Sequence, residues 1–469
     1  MKHNRPNHPT AIVIFGGTGN LAETKLLPAL FELFLLGMLP EHFTIIGLSR
    51  KLLSDSEYRE YVHCSLRAKS TQHTEVDMTS FCAHLHYAAG DFCDHIAYER
   101  IKEHLLNFDS EIGTCTNKLL YLAVPPNLYK TIFENMRISA LSALCDSVNS
   151  WARLLVEKPF GSDIETAAAL EEQLQELFSE DQIYRIDHYL TKDSIENIIS
   201  LRFANSILDD SWDGARIENI ALRLFESQDV STRGSFYDNI GALRDVGQNH
   251  ILQMLALLTM KSVDIYDSHA MRAARRDVIV SLAQRDSDRS VHAQYKGYRE
   301  TAGVNPDSVT ETYFKIETHI ENPEWKDVQF TLEAGKALSS SFAEAVITFR
   351  PSGTCLCAAE PALHTHRNVL HITFSPEQRI CLTMWVKEPG FDFKLHAQEL
   401  VLAQDTGEVF RSPEAYERVL YDCIIGDQTR FVSGEEIKAA WAFITPVLSS
   451  FATLPLHTYE KGSDIGSIS

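Results

Sequence analysis

Five short apolar runs punctuate the first third of the chain, at 11–15, 43–48, 85–90, 118–124 and 153–156. Each has the length and near-continuous apolar character of a strand buried on both faces. The segments between them carry helical spacing. After residue 22, Leu26, Leu27, Leu30, Phe31 and Phe34 fall on the inner side of one helix. Strands alternating with helices predict a parallel sheet of βα units. Beyond residue 190 the pattern changes. Runs at 217–225, 310–320, 328–332, 345–349, 369–374, 379–384 and 399–403 read as strands, and several alternate apolar with polar positions. That is the period of a sheet with one covered face. Helices are predicted around 245–260, 412–424 and 434–442, and no internal repeat, low-complexity segment or long linker interrupts the order. The pattern predicts an α/β unit, a Rossmann-like dinucleotide-binding domain over residues 1–186, packed on a larger α+β domain over residues 187–469.

Composition narrows the function classes. A hydrophobic share of 44% and a charged share of 23% suit a globular protein with sizeable cores. The net charge of −21 argues against nucleic acid or an anionic membrane as the main partner. It leaves room for an anionic small substrate in a locally basic cleft. No apolar run reaches the length of a membrane span, and the polar opening residues lack a signal-peptide core. Nine cysteines show no even framework. Cys355 and Cys357 form the one close pair, and no CxxC or matching histidine pair supports a zinc site, so no metal is expected. Reduced thiols in a cytoplasmic compartment are the expectation.

Three stretches carry candidate chemistry. The first strand runs into Gly16-x-x-Gly19-Asn20-Leu21-Ala22 and then a helix. Such a turn lets backbone N–H groups approach a pyrophosphate at a helix N-terminus. An ordinary glycine turn is the bland alternative, and the strand–turn–helix context favours nucleotide binding. The second strand ends at Ser49-Arg50-Lys51, cations where a 2′-hydroxyl would call for an acid, so the pattern favours NADP over NAD. Lys158, after the strand at 153–156, is expected to face the cleft. The second stretch, 184–192, gathers Asp187, His188, Tyr189 and Lys192. If a helix begins near His188, then His188 and Lys192 project together as a clamp for an anion. The third, 241–255, begins with Asp245, Gln248, Asn249 and His250 and continues into a Leu- and Met-rich helix. One polar group at such a start is a cap; four suggest a site.

Together these stretches resemble the glucose-6-phosphate dehydrogenase family. The resemblance rests on GGTGNLAETKLLPALFELFLLGMLP (16–40), YLAVPP (121–126), EKPFG (157–161), RIDHYLTK (185–192), LRFAN (201–205), RDVGQNHILQML (244–255), EAGKAL (333–338) and EAYERVLYDCIIGDQTRF (414–431), in the family's order. It implies a mainly antiparallel sheet in the larger domain, a homodimer or homotetramer built on that sheet, and a small sugar phosphate as substrate. It implies that His250 is the general base at the sugar C1 hydroxyl and that Asp187 pairs with it. His188, Tyr189 and Lys192 would hold the phosphate, and Lys158 and Lys336 would contact substrate, with Lys158 also near the nicotinamide. Glu226 and Asp245 would bind sugar hydroxyls. Gly16, Gly19, Asn20 and Leu21 would line the pyrophosphate, and Arg50 would meet the 2′-phosphate of NADP.

The chain departs from the family pattern at several positions. Asn20 stands for the usual Asp, Thr191 for Gly, Ser341 for an animal-type Arg, and Ser375 for a Gln of some members. If position 191 requires a positive φ, a β-branched residue is strained there. The tail lacks the usual tryptophan after its Gly-Ser, and the basic residues of a second, structural NADP site are largely missing. Two alternatives stand beside a glucose-6-phosphate dehydrogenase of the pentose phosphate pathway. One is a paralogue for another sugar phosphate, tuned through Thr191 and Ser375. The other is a catalytically weak NADP-binding redox sensor, like the atypical short-chain dehydrogenases whose loop the Gly16 turn also resembles. Their Tyr-x-x-x-Lys pair has its one appealing copy at Tyr98 and Lys102, too soon after the glycines.

Overall fold

The computed structural model of the chain describes residue 6 and residues 8–69, 73–143, 150–285, 289–352, 366–403 and 412–464. The predicted buried strands are present as β1 (Thr10–Phe15), β2 (Phe43–Ser49), β3 (Leu85–Ala89), β4 (Asn117–Leu122) and β5 (Ala152–Val156). A further strand, β6 (Ile183–Ile186), joins them, and the six pair in parallel in the order β6-β5-β4-β1-β2-β3. Along β1 the side chains alternate between two cores. Ile12 and Ile14 pack with Leu26, Leu30, Phe31, Ile45 and Tyr58 on one face. Ala11, Val13 and Phe15 face a second core that runs on into the larger domain. A sheet hidden on both sides therefore reads as unbroken apolar runs.

The second sheet is built from β7 (Ile217–Phe225), β8 (Leu282–Ala283), β9 (Ser290–Tyr295), β10 (Tyr313–Ile320), β11 (Gln329–Gly335), β12 (Phe342–Phe349), β13 (Val369–Ser375), β14 (Arg379–Lys387) and β15 (Leu395–Ala403). Its path runs β15-β14-β13-β12-β7-β11-β10-β9, with β8 beside β10. Neighbours are antiparallel apart from β7 with β11. Two late strands divide between the sheets. β16 (Phe431–Val432) returns to pair antiparallel with β6, and β17 (Leu456–Tyr459) lies parallel to β9.

Between the sheets lie a continuous helical segment over 243–259 and the helix Gly434–Phe451. Leu252, Leu255, Ile437 and Trp441 belong to the same core as Val13 and Leu120 of the first sheet and Leu222, Phe330 and Ile347 of the second. Burying each such side chain contributes about 1.5–3 kcal/mol, so the core ties the two sheets together.

The parallel sheet sets up the site. Its strands end, in spatial order, at Ile186, Val156, Leu122, Phe15 and Ser49. The residues just beyond those ends are Asp187, Lys158, Val124, Gly16 and Arg50, so five loops line one edge in a row. At about 4.8 Å per strand the row spans roughly 19 Å.

Four expectations from the sequence need a word. No helix begins near His188: residues 188–191 form turns, and the helix Asp193–Phe203 starts beyond Lys192. The carboxylate of Asp187 accepts the Tyr189 N–H at 2.9 Å, and the Asp187 carbonyl accepts that of Leu190 at 3.0 Å. Those bonds take the N–H groups into turns, and the i, i+4 relation between His188 and Lys192 does not apply. Thr191 is not among the residues of positive φ, so its branched side chain is not strained in that way; its hydroxyl donates to the His188 carbonyl at 3.0 Å. The thiols are free at Cys64, Cys82, Cys93, Cys381 and Cys423, but Cys115 is disulfide-bonded, against the expectation of reduced thiols. Cys355 and Cys357 lie outside the described residues.

Candidate active site

β6 delivers Asp187 to the edge of the first sheet, and the helical segment over 243–259 delivers His250 from the other side of the cleft. They meet although 63 positions separate them: His250 Nδ1 lies 2.5 Å from Asp187 Oδ1. Both side chains are almost fully buried, at 1% and 2% exposure. Burial alone would raise the Asp187 carboxyl, but the His250 ring beside it and the Tyr189 N–H outweigh that and hold it well below the usual carboxylate range. A carboxylate on Nδ1 fixes the ring as the tautomer with its lone pair on Nε2.

That lone pair has a partner. Lys158 Nζ lies 3.1 Å from His250 Nε2, and it also donates to the Asp245 carbonyl at 3.0 Å. An ammonium has no acceptor to offer, so the bond requires a neutral ring. Burial lowers the pKa of His250, Asp187 opposes, and the Lys158 charge lowers it further. The group is thus a base kept in its unprotonated form. Its ring is clamped on two sides. Tyr189 stacks on it with centroids 4.3 Å apart, and His188 meets it edge-on at 4.6 Å.

The remaining predicted substrate residues connect to this centre. Lys158 faces Asp245 Oδ1 at 3.4 Å, and Asp245 Oδ2 lies 3.5 Å from Lys336 Nζ. Lys336 in turn is ion-paired with Glu226. Burial opposes the ionised form of Asp245, yet the Lys158 and Lys336 charges keep its pKa below the ordinary value. On the other side, Lys192 Nζ sits 3.7 Å above the Tyr189 ring. Burial lowers the Lys192 ammonium from its usual range. His188 is pushed down to about 3, first by burial and then by the His250 ring, so it enters as a neutral imidazole. The structure therefore brings Asp187, His188, Tyr189, Lys192, His250, Lys158, Asp245, Lys336 and Glu226 into one chain of contacts.

The cofactor residues predicted from the sequence lie farther along the same sheet edge. Gly16 has φ +98°, and a Cβ there would fall 2.5 Å from the Ala123 carbonyl oxygen. A Cβ on Gly17 would fall 2.7 Å from Gly47 Cα. Side chains are thus excluded where a backbone must come close. Gly19 N–H donates to the Gly16 carbonyl at 2.8 Å, which closes the turn, and Thr18 and Ser49 share a hydroxyl bond at 2.7 Å. Asn20 and Arg50 are exposed and Leu21 is half-buried at the mouth of this turn.

Three polar residues near the centre were not singled out from the sequence. Glu311 accepts the Leu243 N–H at 2.9 Å, anchoring the start of the segment that carries His250. Tyr237 is buried, with Lys336 Nζ 5.2 Å from its ring centroid and no partner for its hydroxyl among the described residues. Glu157 accepts from Tyr121 at 2.6 Å beside Lys158. Glu311 and Tyr237 stand in no run that distinguishes them from an ordinary surface acid or core tyrosine, and Glu157 is legible only as the first residue of the EKPFG stretch. Of the departures, Ser341 accepts the Ser227 N–H at 2.8 Å next to Glu226, so it closes a local loop and offers no cation.

Two family models cover the chain: "Glucose-6-phosphate dehydrogenase, NAD binding domain" over 13–197, and "Glucose-6-phosphate dehydrogenase, C-terminal domain" over 199–467. A glucose-6-phosphate 1-dehydrogenase of Chlamydia pneumoniae is 34% identical over 458 residues, which is 94% of this chain and 90% of that protein. The cytoplasmic glucose-6-phosphate 1-dehydrogenase 6 of Arabidopsis thaliana is 35% identical over 463 residues, 96% of this chain and 86% of that one. Among solved structures, a glucose-6-phosphate dehydrogenase in complex with its substrate glucose-6-phosphate superimposes with a TM-score of 0.89 at 31% identity, covering 98% of this chain and 96% of that one. The Mycobacterium avium glucose-6-phosphate 1-dehydrogenase gives 0.84 at 30%, covering 97% and 95%.

Proposed function

The chain belongs to the glucose-6-phosphate dehydrogenase family, and from that premise we propose that it oxidises glucose 6-phosphate at C1 to the 6-phosphogluconolactone, with NADP as acceptor, as the first step of the pentose phosphate pathway. The observation that carries the reading is the dyad. A neutral imidazole is held by a buried carboxylate on one nitrogen and faces a lysine on the other.

The residues divide the work as follows. His250 Nε2 takes the proton of the C1 hydroxyl, and Asp187 stabilises the imidazolium that forms. Lys158 then loses its imidazole partner and turns to the oxygen that becomes the lactone carbonyl. Its charge beside His250 keeps the base unprotonated until substrate enters. Glu226 and Asp245, ion-paired with Lys336 and Lys158, accept from the sugar hydroxyls. Lys192, Tyr189 and neutral His188 donate to the phosphate, with Lys336 as a further cation. The glycine turn fits a pyrophosphate, because it admits no Cβ and opens on a helical segment. Arg50 meets the 2′-phosphate with a planar fork that an NAD ribose would leave idle. When bound there, NADP takes up the hydride released from C1.

We assign cofactor binding to residues 1–186 and substrate binding and dimerisation to residues 187–469. β14 and β15 leave Met384, Leu400 and Leu402 exposed on one side, an apolar face that suits closure against a second copy in a homodimer or a dimer of dimers. No helix among the described residues is long and apolar enough to cross a membrane. We place the reaction in the cytoplasm, as for the Arabidopsis relative.

The test is kcat/KM for glucose, glucose 6-phosphate and galactose 6-phosphate in the wild type and in Lys192→Ala. Free sugar leaves the buried cations and donors unpaired, so glucose 6-phosphate is expected to win by orders of magnitude, and Lys192→Ala to narrow that gap through KM. Equal use of free glucose would refute the phosphate clamp. Preference for galactose 6-phosphate would leave the chemistry standing and correct the substrate.

A further inference from the structure

Away from the active site, the described residues hold one close set of metal-type side chains: Asp55, His86 and His104. Three elements supply them. Asp55 opens the helix Asp55–Lys69, His86 lies on β3, and His104 belongs to the helix His95–Ile112. One donor-type atom from each, two imidazole nitrogens and a carboxylate oxygen, lies within 4.8 Å of the others. All three side chains are half-buried, so none is a freely rotating surface group.

Asp55 and His86 are held in place by hydrogen bonds. Asp55 Oδ1 accepts the Tyr87 N–H at 2.8 Å, while Oδ2 faces His86 Nδ1 at 2.8 Å. His104 has the Tyr87 backbone beside its ring. Asp55 already occupies the Tyr87 N–H, so it is the Tyr87 carbonyl that is left to face the His104 ring. A ring nitrogen fixed by a backbone carbonyl is the arrangement that presents histidines to metals. The Asp55–His86 pair alone has an ordinary structural reading. That reading does not account for the second imidazole, whose centroid lies 4.9 Å from His86. Two imidazoles and a carboxylate converging from three elements are a donor set that a divalent cation can share.

We propose that Asp55, His86 and His104 bind one divalent transition-metal ion of the Zn²⁺ class, through two imidazole nitrogens and one carboxylate oxygen, with water completing the shell. Imidazole donors select Zn²⁺, Co²⁺ or Ni²⁺ over Mg²⁺ and Ca²⁺. β3 is the outermost strand of the first sheet, so the ion ties that edge to the two helices flanking it. The inference does not depend on the catalytic reading, since none of the three residues takes part in it.

The experiment uses the full, untagged chain stripped of metal, titrated with Zn²⁺ in a calorimeter and with Co²⁺ followed by its d–d absorption. One ion per chain is expected, with a rise in Tm on loading and no comparable binding of Mg²⁺. Asp55→Asn, His86→Gln and His104→Gln are each expected to weaken binding at least about tenfold. Asp55→Asn retains an oxygen for the Tyr87 N–H, so it tests the charge without removing that contact. Absence of saturable binding by wild type overturns the proposal. So does binding that all three variants retain, which would place the ion elsewhere.

Discussion

Arg185 and Asp187 stand two residues apart at the end of one short strand, both buried and both charged, and they do opposite jobs. Arg185 is saturated. Its Nε and one terminal nitrogen grip Glu171 at 2.9 and 2.6 Å, and the other terminal nitrogen reaches Glu180 at 2.9 Å. Beside it Arg275 is equally complete, with Glu436 at 2.8 Å and the carbonyls of Thr429 and Phe431 each at 2.8 Å. These bonds seat β16 and the helix Gly434–Phe451 behind the cleft. Asp187 shares its cluster with groups whose partners can be exchanged. Lys158 splits between His250 and Asp245, Lys336 between Asp245 and Glu226, and Lys192 rests on an aromatic ring. Saturated charge gives architecture; charge with replaceable partners gives a site, because an incoming anion and its hydroxyls can take those partners over.

The sharpest way to break the comparison is to exchange the consequences. His250→Asn removes the base but keeps an amide that can still donate to Asp187. It should reduce kcat by roughly 10²–10⁴-fold with KM little changed, and leave Tm close to wild type. Near-normal turnover would end the assignment. Asp187→Asn should also lower kcat, because the imidazolium loses its charged partner. On the architectural side, Glu171→Ala removes the buried two-point partner of the Arg185 guanidinium and leaves it Glu180 alone. It should destabilise by about 3–5 kcal/mol in a denaturant titration, while the surviving folded enzyme keeps its kcat. If Glu171→Ala instead changes kcat at unchanged stability, the division between the two clusters is false.

This division also marks what the sequence could say. The glycine turn, the apolar runs and the polar start of the segment around His250 each carry a local signature, and all are legible one stretch at a time. The Arg185 cluster is not. Its members come from 171, 180, 185, 272, 275 and 436, and each alone looks like a solvated charge. β6 was hidden for the same reason: Ile183-Tyr-Arg-Ile is four residues long and its arginine argues against burial. The Asp187–His250 pair spans 63 positions and came from the family resemblance alone. The helical reading of His188 and Lys192 failed because Asp187 captures the Tyr189 N–H, a competition that spacing does not reveal.

A smaller effect sharpens the contrast at the cofactor end of the same sheet edge. Arg50 is exposed at the end of β2, where its charge acts on the exposed Asp91 carboxylate, whereas Arg185 sits in a buried ion pair. Arg50→Ala should therefore leave Tm unchanged and weaken NADP roughly tenfold or more, a charge-assisted hydrogen bond contributing about 1.5–3 kcal/mol. NAD affinity should change little. An equal loss for both cofactors would move Arg50 from the 2′-phosphate to the pyrophosphate or the fold.

The smallest expected effect tests how Lys158 tunes the base. His250 is held below the ordinary histidine value, first by burial and then by the Lys158 charge against the pull of Asp187. The reaction needs the unprotonated ring, so kcat/KM rises with pH through the pKa of the free enzyme. A lowered pKa places that acid limb below the unperturbed value near 6.5. Lys158→Gln keeps a donor near Nε2 and removes the positive charge. Protonation of His250 then becomes easier, its pKa rises, and the limb should move to higher pH by up to about one unit. His188 does not confuse the measurement, because its own titration is pushed down to about 3. Lys158→Gln will also lower kcat, so the position of the limb is read and not its height. A limb that stays in place would mean that burial and Asp187 alone set the base, and that Lys158 serves the substrate without tuning the imidazole.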